Sequence, residues 1–564
     1  TFVTNEAYLD EALEIANKWL INDPDETTKA ETEKLISDGD IELIQRFTNS
    51  LVFGTAGIRG VRGAGPMRMN RVMVRIVATA IAQELLSDNQ GDEPPLVVVG
   101  YDARHKSQIF AKDSVRVLAA YGVRSLILPR PTPTPVLAYT SLSKKAKAGI
   151  MVTASHNPAE DSGYKVYWDD GAQIANPIDT KIAQRIDFKN PPTEEFLADY
   201  EDEIILKGND ELIKTYVDFA SSFVSYESKR EMKQVYTPLH GVGKEVFLDV
   251  FEKAGFESPI LVESQAEPDP DFPTVSFPNP EEEGALDFAV ELAVEKNADL
   301  VIANDPDADR LAVVVRHGDE WCRLNGNEIG VLLAEQILSK GQGEDRLVVT
   351  TVVSSRLLSK IAEFHKVKYV ETLTGFKWIV RPGIEDKSSR FVFGYEEALG
   401  FALGDSVRDK DGITSALVFA ELASELKTQG KTVIDLLEEL WNRHGVHKTA
   451  LFTKRLDPAT NISADFMSSW RSSPPEKIGE FAVIESIDLL SPESELPATD
   501  ALVLNILNGR IVIRPSGTEP MVKVYVEVTE SVINDDIRSA ERSADHKIED
   551  LLHGVSSLFQ VKKD

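Results

Sequence analysis

The chain has 564 residues, 42% of them hydrophobic, which is too long for a single hydrophobic core and predicts three or four globular domains. Its formal net charge of −31 repels nucleic acid and anionic membranes, so we expect neither as a partner. The single cysteine, Cys322, excludes an intrachain disulfide, and the absence of a signal-peptide pattern or of an apolar run of about 20 residues favours a cytoplasmic protein.

The first part of the chain alternates helices and strands. Apolar residues recur at helical spacing over 5–20, and the Asp-Pro-Asp sequence at 23–25 ends that helix. The glycine-rich stretch 53–60 is typical of a structural turn, and the proline-rich stretch 129–135 predicts a loop. The other predicted elements are helices over 71–86 and 107–121 and strands over 96–101, 125–128 and 150–152. This alternation predicts an α/β fold with crossover connections.

The stretch 150–168 holds the first functional candidate. Residues 150–152 predict the end of a buried strand, and the small and polar residues that follow predict a loop. Ser155 and His156 are therefore expected on a turn at the end of a strand, where catalytic groups of α/β proteins usually lie. For Ser-His-Asn alone, an ordinary turn capped by Asn157 is the alternative.

The pattern restarts after a charged, loop-like region over 190–210. The predicted elements are a strand over 234–236, a turn over 239–243, a helix over 247–254, a strand over 259–262, an acidic loop over 267–283, a helix through 298 and a strand over 299–303. Gly241 and Gly243 lack the third glycine and the distant acidic residue of a dinucleotide fingerprint, so we interpret them as a helix entry.

An acidic motif follows the strand over 299–303. Asp305, Asp307 and Asp309 recur at every second position, so an extended segment projects all three carboxylates to one side. Like charges this close raise each other's pKa unless a cation lies between them. Mg²⁺ is the natural hard, oxygen-seeking cation, and a solvated acidic loop is the alternative.

A third round of α/β elements begins near Asn325, and a different kind of segment ends the chain. The third round has helices over 328–338 and 356–364 and strands over 346–351, 368–370 and 390–394. The last segment has strands over 481–487, 501–506, 509–513 and 522–528 and a helix over 536–552. We predict four domains, three similar α/β units and an α+β layer, over 1–210, 211–324, 325–455 and 456–564.

Two further loops carry polar groups suited to a ligand. Glu396 lies in a glycine-bounded acidic loop, 394–400, which can accept hydrogen bonds from sugar hydroxyls. In 514–520, small residues let backbone N–H groups close on an anion beside Arg514.

In their order along the chain, the four loops resemble those of the α-D-phosphohexomutase family, which includes phosphoglucomutases, phosphomannomutases and phosphopentomutases. The resemblance runs from about Phe53 to about Val526, and its most specific parts are 153–158, 305–310 and 514–519. It implies an intramolecular phosphotransferase with three α/β domains of mixed sheets and a C-terminal domain like the TATA-binding protein, around a central cleft.

The resemblance also implies roles for single residues. Ser155 is expected to carry a phosphoryl group and, with Asp305, Asp307 and Asp309, to bind Mg²⁺. The other catalytic candidates are Arg59 and Arg310, which offset phosphate charge, and His156, Lys165 and Lys410, which are candidates for proton transfer. The substrate-binding candidates are Thr374, Gly375, Lys377, Glu396, Arg514, Ser516, Gly517 and Thr518. We favour the two lysines for proton transfer, because a lysine whose pKa is lowered by neighbouring cations can act as a base near neutrality.

Two departures from the family pattern bear on the substrate. Ala398 replaces a serine that many members carry, and Ser162 replaces a common asparagine. The Glu-Glu-Ala form resembles the branch with glucose and pentose phosphate mutases. We expect glucose 1-phosphate and glucose 6-phosphate first, ribose or deoxyribose phosphates second and mannose phosphates third. Glucose 1,6-bisphosphate is expected as intermediate and activator, and the protein as a monomer or homodimer. An aspartyl-phosphate phosphatase and a non-catalytic phosphosugar-binding relative are the rival interpretations.

Overall fold

A computed structural model of the chain describes residues 2–39, 41–54, 57–88, 91, 93–225, 227, 229–455, 462–494, 496–515 and 521–559. The chain divides into two compact units. The first unit comprises Thr1–Arg323 and Gly400–Glu425, and the second comprises Leu324–Leu399 and Leu426–Asp564.

The first sheet of the first unit has six strands in the order β1-β5-β4-β2-β3-β6. Its strands are β1 (Ile58–Val61), β2 (Leu96–Tyr101), β3 (Arg124–Ile127), β4 (Ala148–Val152), β5 (Asp161–Trp168) and β6 (Ile205–Lys207). The helices are α1 (Phe2–Asn22), α2 (Glu26–Asp38), α3 (Ile41–Phe47), α4 (Arg71–Asp88), α5 (Ser107–Ala120), α6 (Thr134–Ser143) and α7 (Ile178–Arg185), and a short 3₁₀ helix spans Glu194–Phe196. Strand β2 is parallel to both β3 and β4, whereas β5 is antiparallel to β4 and β1. All of β4 is buried, which matches its continuous run of apolar and small residues.

The second sheet of the first unit has five strands in the order β11-β10-β9-β7-β8. Its strands are β7 (Gln234–Thr237), β8 (Ile260–Leu261), β9 (Leu300–Ala303), β10 (Ala312–His317) and β11 (Glu320–Arg323). The helices of this part are α8 (Glu211–Ser221), α9 (Gly243–Lys253), α10 (Glu263–Ala266) and α11 (Asp287–Lys296). Strand β7 is parallel to β8 and β9, so the loops after β7 and β9 leave the same edge of the sheet.

The second unit contains a parallel sheet in which β12 lies between β13 and β14. The elements of this part of the chain are α12 (Gly326–Lys340), β12 (Arg346–Thr351), α13 (Leu357–Phe364), β13 (Lys368–Thr372), α14 (Phe376–Ile379), α15 (Arg381–Glu385), β14 (Arg390–Glu396), β15 (Gly400–Leu403), α16 (Gly412–Thr428) and α17 (Val433–His444). Strand β15 and most of α16 belong to the first unit. A capping box between Asn325 and Glu328 begins α12, because each side chain satisfies a backbone N–H that the first helical turn leaves free.

The C-terminal sheet has six strands in the order β16-β21-β20-β19-β18-β17, and all of its neighbouring strands are antiparallel. Its elements are β16 (Val446–Arg455), α18 (Ile462–Ser472), β17 (Lys477–Ile478), β18 (Phe481–Asp488), β19 (Leu502–Ile506), β20 (Gly509–Pro515), β21 (Met521–Glu530) and α19 (Ile537–Leu558). Apolar clusters pack on both faces of the sheet. Val524 packs in a cluster with Leu551 of α19, and Tyr525 on the other face packs in a cluster with Val353 from the loop after β12.

The predicted fold class is confirmed, because three α/β sheets precede a C-terminal sheet packed with helices. The four predicted domain boundaries stay a prediction. Several elements differ from the sequence-based expectation. The stretch 53–60 contains the start of β1, the loop 129–135 ends inside α6, and the region 190–210 contains β6. The loop predicted after 152 gives way to β5, whose Gly163 lies so close to β4 that a Cβ atom there would be 2.4 Å from the Thr153 carbonyl oxygen.

No helix among the described residues combines the length and the apolar character that a membrane crossing requires.

Candidate active site

The two predicted loops of the first unit leave parallel strands at their carboxyl ends. Ser155 follows β4, and Asp305 follows β9. Ser155 adopts a left-handed backbone conformation, φ 53°, and its N–H donates to Thr153 Oγ1 at 2.9 Å. The turn 239–243 packs tightly against the loop 304–310. A Cβ atom on Gly241 would lie 2.3 Å from Pro306 Cα, which gives this glycine a packing role.

The structure brings Ser155 and the loop that carries Asp305, Asp307 and Asp309 together. Ser155 Oγ donates a hydrogen bond to Asp305 Oδ2 at 2.9 Å, and His156 Nδ1 lies 3.3 Å from the same Oγ. Ser155 is only 4% exposed, so this hydroxyl is buried beside a carboxylate. Ser155 therefore lies on a buried turn, and its role as the phosphoryl carrier stays a prediction.

The three aspartates form a buried cluster that fits a metal ion. Asp305, Asp307 and Asp309 are each 0% exposed, and one carboxylate oxygen from each lies within 4.8 Å of the others. The Oδ1 atoms of Asp307 and Asp309 have no hydrogen-bond partner among the described residues, which is unusual for buried oxygen atoms. Burial and the charges of Asp309 and Asp307 raise the pKa of Asp305 well above its usual value. Because all three side chains are buried, the solvated-loop alternative is wrong. An oxygen-seeking divalent cation would satisfy these oxygens and relieve the repulsion.

Two lysines converge on this cluster from distant parts of the chain. Lys165 Nζ donates to Asp307 Oδ2 at 2.6 Å and to Asp309 Oδ2 at 2.8 Å, and Lys410 Nζ lies 3.2 Å from Asp309 Oδ2. Burial alone would raise the pKa of Asp309, but the charges of Lys165 and Lys410 more than offset it and lower that pKa. Two positive charges therefore partly neutralise the triad.

The expectation of a lysine with a lowered pKa is wrong for Lys165. Burial alone would lower its pKa, but the charges of Asp307 and Asp309 outweigh burial and raise it. The two carboxylates lie closer to Lys165 Nζ than any neighbouring cation, and they come from a loop about 140 positions away in the chain. The pKa of His156 shifts in the opposite direction, because burial and the charges of Arg310 and Arg59 hold it well below its usual value. His156 is therefore neutral at physiological pH.

The two arginine candidates of this unit also lie at the loops. Arg59 Nη1 donates to Asn157 Oδ1 at 2.8 Å, so it contacts the turn that carries Ser155. Arg310 donates its backbone N–H to Asp305 Oδ1 at 3.0 Å, and its Nη1 lies 3.3 Å from Glu281 Oε2. Both predicted arginines are thus within the same site.

Arg104 is a site residue that the sequence argument missed. Its guanidinium is buried and donates to the backbone carbonyl oxygens of Ser155 at 2.7 Å, Asn157 at 2.5 Å and Pro158 at 2.7 Å. It also lies over the ring of Phe272 from the acidic loop 267–283, 4.8 Å from the ring centroid. The available signal was its position, because it follows β2, the parallel neighbour of the strand that carries Ser155.

The remaining candidates lie in the second unit. Thr374, Gly375 and Lys377 follow the carboxyl end of β13, and Glu396, 8% exposed, ends β14. Because both strands are parallel to β12, the two loops leave one edge of this sheet. Arg514 lies near the end of β20, paired with Lys523 of β21. Ser516, Gly517 and Thr518 lie outside the described residues.

Family models match this chain along most of its length. They are described as the alpha/beta/alpha domains I, II and III and the C-terminal domain of phosphoglucomutase/phosphomannomutase. They match residues 50–191, 214–318, 325–444 and 497–544, in that order.

Three relatives are similar over nearly all of their own length. A protein from Haemophilus influenzae named "Probable phosphomannomutase" is 42% identical, over 82% of this chain and 93% of that protein. A "Probable phosphoribomutase" from Schizosaccharomyces pombe is 33% identical, over 93% of this chain and 95% of that protein. A "Phosphoglucomutase" from Staphylococcus aureus is 35% identical, over 87% of this chain and 91% of that protein.

A solved structure has the same fold. It is described as a putative phosphomannomutase from Thermus thermophilus, with a TM-score of 0.67 and 22% identity, and the match covers 89% of this chain and 99% of that chain. At this level of identity the likeness concerns the fold alone.

Proposed function

The chain belongs to the phosphoglucomutase/phosphomannomutase family and is a phosphosugar mutase, and from that premise we propose that it interconverts glucose 1-phosphate and glucose 6-phosphate. The observation that carries the proposal is the hydrogen bond of 2.9 Å from Ser155 Oγ to Asp305. Asp305 belongs to the aspartate triad that Lys165 and Lys410 also contact. A hydroxyl beside a metal-binding triad is the arrangement that a phosphoserine carrier requires.

Asp305, Asp307 and Asp309 would hold Mg²⁺ together with an oxygen of the phosphate on Ser155. The two unpartnered Oδ1 atoms and the raised pKa of Asp305 support this assignment. When bound, the ion supplies positive charge to the oxygens of the group in transfer. Arg310, which already contacts Asp305 through its backbone, would add a second positive charge at that point.

The reaction then has two matched transfers. The bond between phosphorus and Ser155 Oγ breaks while the free sugar hydroxyl forms a new bond to phosphorus and loses its proton, which gives glucose 1,6-bisphosphate. This intermediate then reorients in the site. Ser155 Oγ forms a bond to the other phosphorus, the bond between that phosphorus and the sugar oxygen breaks, and the sugar oxygen takes up a proton, which gives the isomeric monophosphate. Atoms and charge balance over the cycle, because the second transfer returns the proton that the first one removed.

Three residues remain candidates for moving that proton. His156 is neutral and lies nearest Ser155 Oγ, at 3.3 Å, which suits a base or an orienting group. Lys165 is charged in the absence of a metal, which suits an acid that returns the proton to a leaving oxygen. Lys410 shares Asp309 Oδ2 with Lys165, and we keep both lysines as the favoured pair.

Substrate recognition is assigned to residues of the second unit. Glu396 would accept hydrogen bonds from sugar hydroxyls, and Thr374, Gly375 and Lys377 would contact the substrate from the neighbouring loop. Arg514, Ser516, Gly517 and Thr518 would bind the phosphate that is not in transfer, through an arginine fork and backbone N–H groups. These roles rest on the family motifs.

The preferred sugar has two competitors, each supported by a relative. The S. aureus phosphoglucomutase supports glucose phosphates, and the S. pombe protein, similar over 93% of this chain, supports pentose phosphates. The H. influenzae protein, at 42% identity, supports mannose phosphates. We place glucose first, because Ala398 gives the loop the Glu-Glu-Ala form described above.

The decisive assay compares kcat/KM for glucose 1-phosphate, ribose 1-phosphate and mannose 1-phosphate on one preparation. A higher kcat/KM for glucose 1-phosphate supports the proposal. A tenfold higher kcat/KM for either other sugar phosphate would make that sugar phosphate the assigned substrate instead. Transfer of labelled phosphate without release of inorganic phosphate separates a mutase from a phosphatase.

The carrier is tested on Ser155 itself. Mass spectrometry is expected to find a phosphate adduct on the peptide with Ser155, and Ser155→Ala is expected to lose both the adduct and mutase activity. Ser141→Ala serves as the matched control, because Ser141 is also buried and its Oγ has no hydrogen-bond partner among the described residues. Full activity of Ser155→Ala would refute the carrier assignment.

A further inference from the structure

A second buried carboxylate, outside the metal triad, contacts the lysine at position 410. Asp409 is 0% exposed, and its Oδ1 accepts from the Lys410 backbone N–H at 2.8 Å and lies 3.4 Å from Lys410 Nζ. The same ammonium lies 3.2 Å from Asp309 Oδ2. Lys410 Nζ thus lies between one carboxylate of the triad and one carboxylate outside it.

The other oxygen of Asp409 is held from strand β5. Asp409 Oδ2 accepts from Tyr167 OH at 2.6 Å and from Gln173 Nε2 at 2.7 Å. Tyr167 is 0% exposed, and burial together with the Asp409 charge raises its pKa well above the usual value, so its hydroxyl stays a donor. With Oδ2 engaged twice, the carboxylate cannot rotate freely, and Oδ1 stays directed at Lys410.

We propose that Asp409, fixed by Tyr167 and Gln173, is the positioning residue that keeps the Lys410 ammonium beside Asp309 when the triad binds its cation. A cation on the triad competes with Lys410 for Asp309, so a second anion is needed to keep the ammonium in place. Tyr167 and Lys165 lie two residues apart on β5, so they share one face of this strand. That face presents Lys165 to Asp307 directly, and through Tyr167 it holds Asp409, which contacts Lys410. The inference rests on the proposed function and adds a group of three residues to it.

The fold supplies a matched control for the tyrosine. Tyr216 is also 0% exposed and donates to a buried aspartate of the same loop, Asp411, at 2.7 Å. Asp411 binds the backbone N–H of Thr414 and the start of α16. Tyr167→Phe and Tyr216→Phe therefore remove the same hydroxyl from the same kind of bond, and only the first is connected through Asp409 to Lys410.

The first experiment measures kcat and KM of the full chain with Mg²⁺. Tyr167→Phe is expected to lower kcat about tenfold and to change KM less than about twofold, as for other residues that orient a catalytic group. Tyr216→Phe is expected to keep both values. In a Lys410→Met background, Tyr167→Phe is expected to lower kcat by less than about twofold, because the group it positions is gone. Equal effects of the two tyrosine variants, or an undiminished effect in that background, would overturn the inference.

The second experiment follows Lys410 without any turnover. Reductive methylation of Lys410, quantified by mass spectrometry, is expected to be faster in Tyr167→Phe than in the unmodified chain and unchanged in Tyr216→Phe. Equal labelling rates in all three proteins would also overturn the inference. Failure of the proposed function gives a different result from failure of this inference. A chain without mutase activity, or a Lys410→Met variant with full kcat, refutes the catalytic assignment. The labelling rate of Lys410 still reports on Asp409 in that case.

Discussion

Thr134 contacts Asp307 twice, because its hydroxyl donates to Asp307 Oδ2 at 2.6 Å and its backbone N–H donates to the Asp307 carbonyl oxygen at 2.9 Å. Thr134 is the first residue of α6 and is 0% exposed. Its hydroxyl and Lys165 both engage Oδ2, which leaves Asp307 Oδ1 for a cation. The helix start therefore sets the orientation of one proposed metal ligand.

Replacing Thr134 with valine is expected to weaken Mg²⁺ binding roughly 10- to 100-fold, the usual cost of losing a group that orients a ligand. Calorimetric titration of the metal-free protein measures this without turnover. Thr140→Val is the control, since Thr140 Oγ1 donates to the Val136 carbonyl oxygen on the same helix and contacts no aspartate of the triad. Equal Mg²⁺ affinity of both variants would remove Thr134 from the site.

Mg²⁺ affinity is expected to rise with pH. The pKa of Asp305 is raised well above its usual value, so the metal-free site favours the protonated carboxyl, and Mg²⁺ has to displace that proton. Raising the pH therefore favours the metal-bound state until the pH exceeds the pKa of Asp305. Calorimetry in two buffers with different ionisation enthalpies is expected to show release of up to about one proton per ion. An affinity that stays constant as the pH is raised through neutrality contradicts this interpretation.

Loss of the Arg104 guanidinium is expected to cost both stability and activity. Arg104→Met leaves Asp102 buried without its arginine partner, and such a change typically lowers the free energy of unfolding by about 3–5 kcal/mol. It also releases the carbonyl oxygens that hold the Ser155 loop, so kcat is expected to fall. Arg104→Lys retains the charge but not the fork, and is expected to recover stability more than kcat. Urea unfolding and steady-state kinetics measure the two effects, with Arg124→Met, in an exposed pair with Glu93, as the control.

Acid is expected to weaken the C-terminal sheet through Glu527. Burial alone would raise the pKa of Glu527, but the bond and charge of His447 and the charges of Arg510 and Arg356 lower it to about 2. A carboxyl with a lowered pKa stabilises the folded state above its unfolded pKa, near 4.5, and that contribution disappears as the pH falls towards 2. The contribution at neutral pH is roughly 3 kcal/mol.

The Glu527→Gln variant isolates this effect. It is expected to be less stable than the unmodified chain at neutral pH and to approach it in stability as the pH falls to about 2. Hydrogen exchange of β20 and β21 as a function of pH follows the relevant region. Glu485→Gln is the control, because Glu485 lies exposed on β18 with a bond from Asn505. Parallel pH profiles for the Glu527 variant and the unmodified chain would contradict the assignment.

The sequence indicated the candidate loops around Ser155 and the three aspartates because each motif is local. Ser155 and the three aspartates lie in short motifs that follow apolar strands, and the structure places Ser155 Oγ 2.9 Å from Asp305 Oδ2. The residues that orient them were not predicted, because their partners are distant in the chain and only the position of Arg104 after β2 pointed to one of them. Arg104 binds Ser155 across 51 positions, and Tyr167 binds Asp409 across 242 positions. No local pattern indicates such pairs.

The fold was predictable to a similar extent. Alternation of apolar strands and helices identified the α/β class, but the start of α6 was interpreted as a loop because of its prolines. Pro135 occupies one of the first two positions of that helix, where the missing N–H leaves no bond unmade. Strand β5 was missed because Asp161, Ser162 and Gly163 are typical of turns, although here they pair with β1.

The alternation of side chains along β5 restricts how this region can change during evolution. Lys165 and Tyr167 point to the aspartates, whereas Tyr164 bonds Ser114 on the opposite side. Inserting or deleting a single residue ahead of Lys165 would exchange the two faces, so both polar side chains would enter the hydrophobic interior at once. Homologous mutases should therefore keep the length of this strand constant and keep large apolar residues on its far side, where Tyr164 and Val166 pack in the buried core.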